Sequence, residues 1–95
     1  MDAVVTRAGT RLADLEEALH QLTTARARVT HPSGLVSVEA DEHGGMCGLW
    51  LPAALGGVDA GDLGRAVVET AARAAELVAA QREQVLASLA RRFTD

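Results

Sequence analysis

The sequence predicts an α+β fold of order α-β-β-β-α, an antiparallel three-stranded sheet flanked by two long helices. Three observations predict it. Apolar residues recur at helical spacing near both ends of the chain, the apolar period shortens to two between them, and glycine-bearing turns divide that middle stretch. Ninety-five residues support a single domain, 1–95.

The first helix is expected from Thr6 to Arg26. Ala8, Leu12, Leu15, Leu19 and Leu22 recur at steps of four and three, giving one narrow stripe. Arg11, Asp14, Glu16, Glu17 and Gln21 occupy the other faces. The stripe lasts two heptads, enough for a packing helix and too short for a long coiled coil. A short strand around Arg28 to His31 follows, then a turn at Thr30-His31-Pro32-Ser33-Gly34, where proline presets φ and glycine is free to take φ > 0. Leu35 to Ala40 alternates, putting Val36, Val38 and Ala40 on one face. Asp41-Glu42-His43-Gly44-Gly45 reads as a hairpin loop. Met46 to Leu51 returns, with Cys47, Leu49 and Leu51 on one side and Met46 and Trp50 on the other.

A connector from Ala53 to Asp62 ends in two candidate N-caps, Asp59 and Asp62. The second helix is expected from Leu63 to about Arg92, its stripe marked by Val67, Ala71, Ala74, Val78, Val85 and Leu89. Alanine dominates that stripe, so another helix can approach closely.

Composition narrows the function classes. Hydrophobic residues make up 48% of the chain, which argues against disorder, yet there is one Trp, one Phe and no Tyr. Alanine buries little surface, so the core of a monomer is thin. All nine basic residues are arginine, and the formal charge is −4. That balance gives no global attraction to nucleic acid or anionic lipid. No apolar run approaches the roughly 20 residues of a membrane span, and the first residues lack the pattern of a signal peptide. Cys47 is the single cysteine, so no intrachain disulfide forms. The expected compartment is the cytoplasm.

Size points to a homodimer. Thirty helical residues extend about 45 Å, whereas a compact chain of this length has a diameter of roughly 30–35 Å. The second helix therefore overhangs any compact monomer. The sheet is expected to be apolar on both faces, and one helical layer covers only one. Leu35, Met46 and Trp50 form the expected dimer interface on the other, with the helices projecting from the sheets.

No residue set points to catalysis. His31 and His43 sit in separate turns without the spacing of metal ligands and read as solvated turn residues. Cys47 lies inside a strand with no basic neighbour to activate it and reads as buried packing. Gly44-Gly45 and Gly56-Gly57 lack the pattern of a phosphate-binding loop. Glu39, Asp41 and Glu42 have no implied pocket in which to act as an acid–base set. A non-enzyme with no cofactor and no metal is expected. Charge is distributed unevenly, however. The first helix runs towards the sheet and the second away from it, so the start of one meets the end of the other. Arg7, Arg11, Arg82, Arg91 and Arg92 are expected to gather at that tip, while 31–62 holds five acids and no Lys or Arg. A solvated helix end with last-turn cations gives the same composition.

In order and spacing the chain resembles the YbaB/EbfC family of nucleoid-associated proteins, in which a divergent actinobacterial paralogue is one form it could take. The likeness rests on an amphipathic first helix, the block Gly34-Leu35-Val36-Ser37-Val38-Glu39-Ala40, a glycine turn, and Leu49-Trp50-Leu51-Pro52 leading through Leu55 into an alanine-rich helix. It covers nearly the whole chain. It implies a homodimer with central sheets and projecting helices, located at the nucleoid, that binds double-stranded DNA with little sequence specificity. The Met/Gly/Pro-rich tail of many members is missing, as are lysines. The alternative is an adaptor dimer, for example secretion-associated, that binds a protein partner and has lost DNA binding.

Overall fold

A computed structural model describes residues 2–94, with side chains for 9–94. It has the expected order: α1 (Asp2–Thr24), β1 (Ala27–Thr30), β2 (Ser37–Ala40), β3 (Met46–Trp50) and α2 (Ala60–Thr94). The sheet is antiparallel with strands in sequence order, so β2 is central and β1 and β3 are its edges.

The two hairpin turns share one construction. The His31 carbonyl accepts from the Gly34 N–H at 2.8 Å, and the Asp41 carbonyl accepts from the Gly44 N–H at 2.9 Å. In each, the fourth residue has positive φ, 76° at Gly34 and 81° at Gly44. A side chain there would crowd the following carbonyl, which is why both positions are glycine. The second turn is braced further, because Asp41 Oδ1 accepts from the His43 and Gly45 N–H groups at 2.9 and 3.0 Å. Those bonds, the His43 one first, hold the Asp41 carboxyl below its usual range.

Asp59, rather than Asp62, caps α2. Its Oδ2 accepts from the Asp62 N–H at 3.0 Å and its carbonyl from the Leu63 N–H at 3.0 Å, while Asp62 pairs with Arg65 on the first turn. The 35 residues of α2 make a rod of about 52 Å. Its first half lies across β1 and β2. Ala66, Ala74 and Val78 pack there with Ala27, Val36, Val38 and Ala40 as one core. Thr70 sits in the same buried row and satisfies its hydroxyl by donating to the Ala66 carbonyl at 2.6 Å. The expected stripe is thus centred slightly to one side of where spacing placed it, with Val67 and Ala71 only partly buried at its margin.

The second half of α2 runs antiparallel beside α1. Ala18 is the buried contact of α1, with Leu22 half-buried beside it. The leucine stripe expected to face α2 does not: Leu12, Leu15 and Leu19 are 57%, 38% and 52% exposed. The small Ala18 allows a closer approach than a leucine row would, and the helix is turned accordingly. The molecule measures 71 × 21 × 17 Å, with a radius of gyration of 19.3 Å against about 12 Å for a compact chain of this length. The overhang of α2 is as the length of the helix required.

Candidate binding surfaces at the helical tip and the free sheet edge

Two surfaces carry the expected site residues. The first is the end of the α1/α2 pair remote from the sheet. Arg11 lies over the ring of Phe93, 5.8 Å from its centroid, and Arg92 Nη1 is 3.4 Å from Asp14 Oδ1. Arg91 is exposed in the last turn of α2, where cations complement the helix dipole. Arg11, Arg91 and Arg92 therefore do gather at one tip. Asp14, one turn along α1 from Arg11, offsets part of their charge. The Arg7 side chain lies outside the described residues.

Arg82 does not belong to the tip. It is half-buried and donates to the Leu22 carbonyl, one of the C-terminal carbonyls of α1 that lack an intrahelical partner. Ten residues of helix, about 15 Å, separate it from Arg92. Its role is to hold the end of α1 against α2.

The second surface is β3. Pairing sets Val29, Val38 and Leu49 on the α2 side of the sheet, and Thr30, Ser37 and Trp50 on the opposite side. A bulge interrupts the register: Glu39 opposes Gly48, and Ala40 opposes Met46, so one extra residue, Cys47, is accommodated in β3. Strict alternation had put Met46 with Trp50 and Cys47 with Leu49. The bulge reverses both, bringing Met46 to the α2 side with Leu49 and Cys47 Sγ to 3.6 Å from Glu39 Oε2. The face away from α2 consequently carries Arg28, Thr30, Ser37, Glu39 and Trp50. It is mostly polar, not the second apolar face that was expected.

Trp50 lies across Gly48, where an added Cβ would stand 2.5 Å from the ring, and the Arg28 guanidinium stacks on it 3.9 Å from the centroid. On the sheet, apolar exposure falls on β3 and the residue that follows it. Met46, Leu49, Trp50 and Leu51 are each 42–51% exposed, because α2 packs on β1 and β2 and leaves this strand beyond its cover. Leu35 differs from the other two expected interface residues. It is half-buried and packs against the core of its own chain.

The remaining candidates are placed as follows. His31 is no free turn residue: Nδ1 is 2.8 Å from Ser33 Oγ and Nε2 is 3.1 Å from Glu69 Oε2, pinning the first turn to α2. His43 is solvated beside Glu42. Glu42 pairs with Arg26, and its own backbone N–H and that guanidinium hold its carboxyl below the usual range. Cys47 is exposed rather than buried. Partial desolvation by the strand, then the Glu39 carboxylate, pushes its thiol up, the opposite of an activated nucleophile. Among the described residues no three His, Cys, Asp or Glu side chains converge as metal ligands, and no helix is long and apolar enough to cross a membrane.

Compared with protein-family models, curated proteins and solved structures, the chain matches none.

Proposed function

We propose that the chain works as a non-enzymatic homodimer of the YbaB/EbfC type, joined at β3, that holds double-stranded DNA weakly and without sequence preference at the nucleoid through its arginine-bearing tips. The observation that carries this reading is the clustering of Arg11, Arg91 and Arg92 at the end of a long helical pair, away from the acidic sheet end. Arginine side chains pair with phosphate oxygens in any sequence. The apolar side chains on β3 support self-association, since an uncovered edge of this kind is a template for pairing.

Two copies carry twice the −4 of one, so overall electrostatics oppose binding and local geometry must supply it. Mobility shift of a duplex tests the reading. If four of the six tip arginines of a dimer engage phosphates, affinity falls about 10²-fold between 50 and 200 mM salt. Replacing Arg91 and Arg92 together by Ala weakens binding on all sequences alike and flattens the salt slope. Loss of affinity with an unchanged slope would remove the tip as the contact surface.

The alternative, a protein-binding adaptor dimer without DNA binding, draws support from a different observation. Asp14 already holds Arg92, and Arg82 is engaged with Leu22, which leaves few cations free for phosphate. A wild-type protein that shifts no DNA even at low salt would make it the better reading.

A further inference from the structure

The three arginines gathered at the tip are not held alike. Arg11 rests on the ring of Phe93, 5.8 Å from its centroid. A ring face attracts a guanidinium and leaves the N–H groups at its edge free to donate, so this contact steadies Arg11 without offsetting its charge. Phe93 is itself 41% exposed, which keeps the stacked pair at the surface. Arg91 is exposed in the last turn of α2. Among the described residues, neither Arg11 nor Arg91 is paired with an acid. Arg92 differs from both. Its Nη1 is 3.4 Å from Asp14 Oδ1 across the helical pair, and it lines a groove between α1 and α2 with Glu17, Ala18 and Leu89. The Asp14 side chain is 32% exposed against 52% for Arg92. The carboxylate is thus the more sheltered partner, and salt screens it less than a fully exposed charge. To reach a phosphate, Arg92 would have to leave Asp14 and set that carboxylate beside the phosphate charge.

We infer that Arg11 and Arg91 are the phosphate contacts of each tip, and that Asp14 limits affinity by keeping Arg92 out of the contact. The inference rests on the DNA reading proposed above and divides the work within that site. It identifies which arginines of a dimer engage phosphates, Arg11 and Arg91 of each chain, and which is held in reserve. The weakening expected of the Arg91→Ala/Arg92→Ala variant then comes from Arg91. Removing Asp14 should add a contact rather than remove one.

Fluorescence anisotropy of a labelled duplex of mixed sequence, titrated between about 50 and 200 mM salt, tests this division. Four contacts give the wild-type dimer a fall in affinity of about 10²-fold across that range. Asp14→Asn frees Arg92, raises affinity at low salt and steepens the fall to about 10³-fold, as six contacts require. A gain of affinity cannot come from misfolding. Asp14→Asn/Arg92→Ala removes the pair without changing the net charge, and keeps the wild-type slope. Arg11→Ala leaves two contacts per dimer and a fall of about tenfold. Should that variant lose its helical signal by circular dichroism, Arg91→Ala decides by the same slope. An Asp14→Asn slope equal to wild type would overturn the role given to Asp14. An Asp14→Asn/Arg92→Ala slope as shallow as that of Arg11→Ala would make Arg92 a contact already, and would also overturn it. In both cases a wild type that binds leaves the DNA reading standing. A wild type that binds no duplex even at low salt would overturn the DNA reading and this inference together.

Discussion

β2 and β3 lie side by side in one sheet, and their apolar residues are paired across the ladder. Val38 opposes Leu49 and Ala40 opposes Met46. On β2 these side chains are 0% and 1% exposed; on β3 they are 42% and 51% exposed. Nothing in their chemistry separates the pairs. What separates them is cover, because α2 crosses β1 and β2 and stops short of β3. The core of this chain is one helix wide, and an apolar strand just outside it keeps the character of an interface. The same contrast is repeated on α1, where Ala18 is buried and Leu15 and Leu19, on the adjoining face, are exposed.

Charging each strand of that pair breaks the comparison most directly. Val38→Asp puts an unpaired carboxylate where no water reaches, a class of change that costs more than about 4 kcal/mol. The expected outcome is an unfolded chain by circular dichroism. Leu49→Asp, one strand away on the same side of the sheet, leaves the secondary structure in place and changes the oligomeric mass instead. Equal loss of fold in the two variants would mean that β3 is as much a part of the core as β2.

A smaller effect is expected from the turn that closes the covered hairpin. Gly34 has a φ of 76° and open space where a Cβ would go, so Gly34→Ala meets only backbone strain, about 1–2 kcal/mol. Thermal melting should fall by about 4–8 °C for each kcal/mol. Gly56, equally open and without positive φ, is the control: Gly56→Ala should leave the melting temperature nearly unchanged.

The smallest effect concerns acid. The Asp41 carboxyl in the β2–β3 turn lies below its ordinary 3.8, held there first by the His43 N–H. A depressed folded value means that its contribution is present above the ordinary value and is lost as pH falls through the folded one. Urea midpoints measured from pH 7 downward should therefore show a loss beginning near pH 4 that Asp41→Asn reduces, since the amide still accepts the turn hydrogen bonds but carries no charge. An unchanged acid slope in that variant would assign the loss to other carboxylates.

By itself the sequence determined the order of elements, the two turns and the overhang. These follow from local rules: apolar period, the φ that proline and glycine permit, a capping aspartate, and 1.5 Å of rise per helical residue. It determined the arginine tip in part, since Arg11, Arg91 and Arg92 lie where antiparallel helices must end. Tertiary structure alone decided which faces meet. The bulge at Cys47 reversed the sides of Met46 and Cys47, because one inserted residue inverts a period of two. Packing through Ala18 turned the leucine stripe of α1 outward, and the approach of the two helices gave Arg82 the Leu22 carbonyl as its partner. Each of these depends on how close two separate segments come, a distance that no spacing along the chain encodes.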